Sequence, residues 1–139
     1  MKDSFEFDQD INSYLRETAK WAKLLGILGF VAIGFLVLFS FFVKGIFEML
    51  PETNMQQIPT SALSIVYFVL AGIYFFPVNY LYQFGKNMRR SLETEDQELF
   101  KGALKNLKSH YKFIGMFALV IVSLYGVLFL SAFIGFIIA

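Results

Sequence analysis

The sequence predicts an all-α integral membrane bundle with three transmembrane helices and one amphipathic interfacial helix before the third span. Residues 24–43, 58–85 and 113–139 contain no Asp, Glu, Lys, Arg or His over 20, 28 and 27 positions. About 20 apolar residues in a helix cross the roughly 30 Å hydrocarbon core of a bilayer, so each stretch is long enough. Hydrophobic residues make up 57% of the chain and the mean hydropathy is +0.59, whereas soluble domains average about 45–50% apolar residues. The length fits a single domain.

The first predicted element is a helix from about residue 10 to about residue 43, of which residues 24–43 form the first span. Asp8 and Asp10 are suitable N-cap residues, because a carboxylate there can accept N–H groups that the first turn leaves unpaired. Apolar side chains then recur at helical spacing, without Gly or Pro, up to the start of the span. Trp21 is expected among the lipid headgroups, where amphipathic rings are favoured.

The second predicted span covers residues 60–84 and follows a short loop at 44–57 that contains Pro51. Pro59 is expected in the first turn of this helix, where a missing N–H costs nothing. Pro77 lies inside the span and removes one backbone hydrogen bond, so a kink is predicted there.

An amphipathic helix is predicted at about 95–112, directly before the third span at 113–137. Thr94 and Gln97 match a capping box, in which a Thr side chain and a Gln three residues later satisfy each other's backbone N–H groups. The helix has one apolar face and a separate basic face formed by Lys101, Lys105, Lys108 and Lys112. This basic face is the predicted contact with anionic lipid or an acidic partner; simple anchoring at the membrane is the alternative.

The distribution of positive charge predicts the orientation of the chain. Of the twelve Lys and Arg residues, eleven lie in the N-terminal segment or in the connector 86–112, and only Lys44 lies in the first loop. With three spans, the N-terminal segment and the connector share one side of the membrane. Because Lys and Arg in short loops favour the cytoplasmic side, we expect a cytoplasmic N-terminus and an extracytoplasmic C-terminus.

Small residues recur at helical spacing in two of the predicted helices. Such residues let backbones approach closely, and dispersion then holds the helices together because lipid supplies no hydrophobic drive for association. The first row predicts either a homo-oligomer contact or packing within the same chain, and it consists of Ala19, Ala22, Gly26 and Gly29. The row in the third span consists of Gly115, Ser123, Ser131 and Gly135. Since a three-helix bundle cannot bury two such rows on every helix, at least one is expected to be free for a partner.

Few polar groups are expected at membrane depth. Asn79 and Tyr125 would each need a hydrogen-bond partner there, because an unpaired buried polar group is costly. Asn79 is expected to bond a carbonyl freed by Pro77 or an adjacent helix, and a substrate or ion site is the sharper alternative. None of the uncharged stretches contains the ionisable residues that proton relays and charge-selective filters normally need.

The sequence contains no recognisable catalytic or cofactor motif. Cysteine is absent and His110 is the single histidine, so a metal site is not expected. No nucleophile has an obvious base, and no glycine-rich phosphate loop is present. We therefore expect no enzymatic activity and no cofactor. The net charge of +1 gives no reason to expect a nucleic acid partner, which leaves membrane lipids and other helices.

Three strings carry a resemblance to a known family. They are SYLRETAKWAKLLGILGF in the first helix, YFFPVNYLYQFGKNM in the second and LKNLKSHYKFIGM before the third span. On these strings the chain resembles, over about residues 13–130, a family of small bacterial membrane proteins classed as a domain of unknown function. The resemblance implies a bacterial inner-membrane location and the same order of helices. It implies no activity and no catalytic residues.

The sequence thus favours a non-enzymatic multi-pass membrane protein that acts through helix association. It would work as a homo-oligomer or as an accessory subunit of a larger membrane complex. The alternative is a small oligomeric channel or transporter, with Asn79, Pro77 and Tyr125 near the path.

Overall fold

Three long helices make up the described part of the chain. The computed structural model describes residues 8–51 and 59–138, which form α1 (Gln9–Met49), α2 (Thr60–Thr94) and α3 (Gln97–Ile138). The helix α2 is central and packs against both α1 and α3. All three are long and apolar enough to cross a membrane, with mean hydropathies of 2.6, 1.9 and 2.6 over their most apolar 18-residue windows. The prediction of an all-helical protein with three candidate spans is therefore confirmed.

The helix α1 begins at the predicted cap and ends later than predicted. The Asp8 carboxylate accepts the backbone N–H of Ile11 at 2.9 Å, which confirms Asp8 as the N-cap. The helix then continues past residue 43 to Met49, so the prediction of a loop starting at residue 44 was wrong. It stops at Leu50, whose ψ of 143° is extended, because Pro51 disfavours the helical conformation of the residue before it. The rest of the predicted loop, residues 52–57, lies outside the described residues.

The turn between α2 and α3 does not contain the predicted capping box. Glu95 adopts the left-handed conformation, with φ of 52° and ψ of 36°, and its N–H donates to the carbonyl of Ser91. The Asp96 carboxylate accepts the N–H groups of Glu98 and Leu99 at 3.0 and 3.2 Å. Asp96 therefore caps α3. The prediction of Thr94 as the cap was wrong, since its hydroxyl donates to the carbonyl of Arg90 at 2.8 Å.

The predicted amphipathic helix at 95–112 is not a separate element. Residues 97–112 are the first part of α3, which runs without a break to Ile138. Neither Pro nor a second cap occurs where the amphipathic segment meets the third span, so nothing ends the helix there. Its apolar face packs against α2, with Ala103 fully buried. The segment thus lies along the bundle and cannot lie flat in the plane of a membrane surface.

The buried core lies at the charged end of the bundle, which we define as residues 8–23 and 86–112 together with the parts of α2 that face them. Apolar side chains exposed to water are driven together there by the hydrophobic effect. The fully buried members of this core are Ala19, Ala22, Phe84, Met88 and Ala103, packed against Leu15, Leu81, Leu92, Phe100 and Leu107.

The opposite, uncharged end is loosely packed. In the most apolar 18-residue window of each helix, only 11% of α1, 11% of α2 and none of α3 is buried. Every residue from 118 to 138 of α3 is exposed. A continuous apolar surface of this extent is unusual for a soluble monomer but is ordinary for helices surrounded by lipid tails, where exposure of Leu or Phe carries no cost.

Candidate functional site

The small residues of α1 pack against α2 of the same chain. Ala19, Ala22 and Gly26 are buried and Gly29 is half-buried. A Cβ added at Gly26 would lie 2.8 Å from the Cβ of Tyr82, and one added at Gly29 would lie 2.7 Å from a methyl carbon of Val78. The structure therefore places this row at the intrachain contact, the second of its two sequence-based interpretations, and leaves it inaccessible to another chain.

Gly85, which the sequence reasoning missed, also stands at a close approach between α1 and α2. A Cβ added at Gly85 would lie 2.6 Å from both the carbonyl oxygen of Ala19 and the backbone nitrogen of Lys23. These neighbours are backbone atoms and cannot rotate away. The available signal was a glycine inside a helical pattern, which costs about 1 kcal/mol relative to alanine and needs a packing reason.

The small residues of α3 lie on exposed parts of that helix. Gly115, Ser123, Ser131 and Gly135 are all exposed, and a Cβ added at either glycine would meet nothing within 4 Å. The Ser131 hydroxyl donates to the carbonyl of Val127 at 2.8 Å, within its own helix.

The α3 row does not form one straight face. At about 100° per residue, Gly115 is rotated by about 160° from Gly135, so the two cannot contact the same side of one partner. Ser131 and Gly135 are separated by about 40°, and Ser123 lies about 80° from Ser131. Ser123 therefore lies about 120° from Gly135, outside the face that the other two share, and we call Ser131 and Gly135 the α3 patch. Their four-residue spacing follows the ridge that favours right-handed crossings of close-packed transmembrane helices.

A broad apolar groove accompanies this free helix. It has a volume of about 920 Å³ and runs along the uncharged ends of α1 and α2, where α3 does not cover them. No charged side chain lines it. Its wall is formed by Gly29, Ala32, Ile33, Phe35, Leu36, Leu38, Phe39, Phe42 and Ile46 of α1 with Tyr74 and Val78 of α2.

The contact between α2 and α3 contains a hydrogen bond that the sequence reasoning did not anticipate. Nδ1 of the half-buried His110 lies 2.7 Å from the carbonyl oxygen of the buried Pro77. Since a carbonyl only accepts, the proton must be on Nδ1 and the imidazole is the donor. The bond joins the two helices near the boundary of the uncharged stretches. It fixes the position of α3 along α2, which non-directional dispersion contacts alone would not do.

The two polar residues predicted at membrane depth do not form a common site. Asn79 is half-buried on α2, and no hydrogen bond of its side chain is found within the described residues, so its predicted bond to a freed carbonyl is not seen. Tyr125 is 70% exposed on the free part of α3. With the bond between His110 and Pro77 placing these two residues at the same level of the antiparallel helices, Asn79 and Tyr125 are about 25 Å apart along the bundle.

The four predicted surface lysines are exposed, and their spread along α3 limits what they can contact. Lys101, Lys105, Lys108 and Lys112 all face outward, and Lys101 Nζ lies 4.0 Å from a carboxylate oxygen of Glu98. Because α3 is continuous, Lys101 is about 17 Å further than Lys112 from the third span, measured along the helix axis. Electrostatic attraction to a membrane falls off within about 8 Å at physiological salt. Attraction to lipid headgroups at the start of the third span should therefore be strongest for Lys112 and Lys108 and weakest for Lys101.

No group of three His, Cys, Asp or Glu side chains within residues 8–51 and 59–138 is arranged to hold a metal ion. Comparison with known proteins adds no family: no family model, curated protein sequence or solved structure matches the chain significantly. The resemblance to small bacterial inner-membrane proteins therefore stays a prediction.

Proposed function

We propose that this protein is a non-enzymatic, multi-pass membrane protein that acts through helix association, and that the α3 patch is the associating surface. Association takes place either with a second copy or with another subunit of a membrane complex. We also propose a bacterial inner-membrane location, with the N-terminus in the cytoplasm.

One observation carries the proposal: the two small-residue rows are used differently. The α1 row packs against α2, where Gly26 and Gly29 have no space for a Cβ. Gly135, in contrast, faces open surroundings in the exposed part of α3. Glycine in a helix interior costs about 1 kcal/mol relative to alanine. A close helix partner at Gly135 would offset that cost through backbone contact.

The test is energy transfer between donor-labelled and acceptor-labelled copies of the full chain in liposomes, measured over a range of protein-to-lipid ratios. We expect concentration-dependent transfer for the unaltered protein. Gly135→Leu should weaken the association about tenfold or more, because a loss of about 1.4 kcal/mol changes an equilibrium constant tenfold.

Gly126→Leu is the matched control. Gly126 is also in the free part of α3 and also has nothing within 4 Å of an added Cβ, but it is rotated by about 180° from Gly135. It should leave the association unchanged. Equal effects of the two substitutions would contradict the proposed surface. A strict monomer in liposomes that also gives no cross-link from position 135 in native membranes would contradict association altogether.

The channel or transporter alternative is not favoured by any contact in the described residues, because Asn79 and Tyr125 are far apart. Ion flux through proteoliposomes that is lost on Asn79→Leu would nevertheless establish it over the proposal made here.

A further inference from the structure

A small cavity between α1 and α2 combines three cations with an apolar floor. It has a volume of about 250 Å³, and no residue of α3 lines it. Its lining residues are Lys20, Trp21, Lys23, Leu24 and Ile27 of α1 with Arg89 of α2. The four lysines of the α3 row instead stand on the exposed surface of a single helix.

The order of the lining residues along α1 matches the structure of a phospholipid. Lys20, Lys23 and Ile27 recur at three- and four-residue steps and so share one face of the helix. The cations are at the charged end, and Leu24 and Ile27, which are 44% and 45% exposed, continue the same face into the uncharged stretch. A phosphate placed among the cations would leave an acyl chain lying along the two apolar side chains.

The cavity has unbalanced positive charge. None of the ion pairs in the described residues involves Lys20 or Lys23, and Arg89 pairs only with Glu93, at 3.2 Å between Nε and Oε1. That pair is about half exposed, with side chains at 58% and 49%, so it holds the guanidinium weakly. Glu17 and Glu93 line an adjoining cavity that shares Lys20, Trp21 and Arg89 with this one, but neither carboxylate lines the cavity itself.

We propose that this cavity binds the phosphate headgroup of an anionic phospholipid, with Lys20, Lys23 and Arg89 as its ligands and one acyl chain on Leu24 and Ile27. Basic pockets between transmembrane helices at the cytoplasmic side are suited to such headgroups. Trp21 adds an indole ring at the level where aromatic side chains favour the interface. The proposal rests on the membrane location proposed above but not on association through α3.

Trp21 provides a direct readout because it is the single tryptophan of the chain and lines the cavity. The full-length protein would be placed in nanodiscs, one copy each. Its emission would be titrated with phosphatidylglycerol brominated on the acyl chains, in a phosphatidylcholine background, and in parallel with brominated phosphatidylcholine. We expect half-maximal quenching at a mole fraction about tenfold lower for the anionic lipid, given the attraction of three cations.

Two charge-matched triple variants test the assignment. The variant Lys20→Gln/Lys23→Gln/Arg89→Gln should lose the preference for the anionic lipid. The variant Lys101→Gln/Lys105→Gln/Lys108→Gln removes the same charge from the same end and should keep it. Unquenched Trp21 emission and helical content verify folding, and the three single substitutions replace the first triple if it unfolds.

Three results would overturn the proposal. The first is equal quenching of the unaltered protein by the two brominated lipids. The second is an equal loss of preference in both triple variants, which would mean general surface charge. The third is relief of quenching by millimolar inorganic phosphate, which would assign the cavity to a soluble phosphate. Because each nanodisc holds one copy, none of these results depends on the α3 patch.

Discussion

Glycine has two different uses in this chain, and the neighbouring atoms distinguish them. All ten glycines lie in the described residues, and only Gly26, Gly29 and Gly85 stand where an added Cβ would collide with another helix. Sequence spacing revealed the first two but not Gly85, because that residue belongs to no repeated pattern on its own helix. Its role depends on which backbone crosses it, and this is a property of the tertiary structure.

Replacement of Gly85 by alanine should destabilise the contact between α1 and α2. Alanine gains about 1 kcal/mol in helix propensity, but the methyl group would meet two backbone atoms at 2.6 Å, and overpacking of a well-packed site costs about 1–3 kcal/mol or more. We expect a net loss of about 2 kcal/mol, measured by SDS-driven unfolding in mixed micelles with Trp21 emission as the signal. Gly102→Ala, at a position with nothing within 4 Å, is the control and should be neutral or stabilising.

His110 should stabilise the contact between α2 and α3 through its hydrogen bond. His110→Phe keeps an aromatic ring beside Tyr111, which His110 meets edge-on at 5.5 Å between ring centroids, but removes the donor to Pro77. We expect a loss of about 1–2 kcal/mol in the same unfolding assay, from a lost partner for a part-buried group. His110→Gln retains a donor and should recover part of the loss. A His110→Phe protein as stable as the unaltered one would show that the bond contributes nothing.

At the scale of the elements, helix ends were harder to predict than helix centres. The uncharged stretches identified all three helices, since their length and hydropathy exceed what short-range signals could change. The boundary between α2 and α3 depended on which of two neighbouring side chains formed the N-cap. Thr94 and Asp96 can both cap a helix, and the left-handed conformation of Glu95 gives the position to Asp96.

Asp96 and Thr94 should contribute differently to the stability of α3. Asp96→Ala should destabilise the start of α3 by about 1 kcal/mol, because two N–H groups lose their acceptor. Thr94→Ala should change the stability little, since the hydroxyl only donates to a carbonyl of its own helix. Hydrogen exchange of the amides of Glu98 and Leu99 would locate the effect. Faster exchange in the Thr94 variant than in the Asp96 variant would restore the predicted capping box.

The amphipathic segment, residues 97–112, was predicted as a separate helix but is the first part of α3. Its apolar face is real, but a face alone does not decide whether a helix lies on a membrane or on another helix. Met88 and Phe84 of α2 offer a buried surface for Ala103, and α3 contains no break that would let the segment turn aside. The identity of the surface that covers an apolar face is not encoded in the periodicity of that face.

On the scale of the whole molecule, the two ends follow different physical rules. The charged end has a compact core, which is the response of apolar side chains to water. The uncharged end exposes large apolar side chains, among them Leu119 at 70% and Phe129 at 71%. This contrast supports a bilayer around the uncharged end. The sequence could not decide which small-residue row is free. That depends on how far along α2 the helix α3 packs, which is a property of the tertiary structure.

Single cysteines should determine the orientation, since the native chain has none. Glu98→Cys lies at the charged end and Glu48→Cys at the other, and both side chains are well exposed in the native protein, at 88% and 66%. With the N-terminus in the cytoplasm, a membrane-impermeant maleimide should label Glu48→Cys in intact cells and Glu98→Cys only after permeabilisation. The reverse pattern would show that the topology is the opposite of the one proposed. Labelling of both cysteines in intact cells would show that α2 does not cross the membrane.

The unbroken course of α3 has a mechanical consequence. The helix is held by α2 around Ala103 and His110 and is unsupported beyond residue 117, so it resembles a lever clamped at one end. Gly135 lies about 27 Å beyond residue 117 along the axis, and a tilt of about 5° at the end of the supported part would move it by about 2 Å. A small rearrangement on the water-facing side would thereby be amplified at the far tip of the rod.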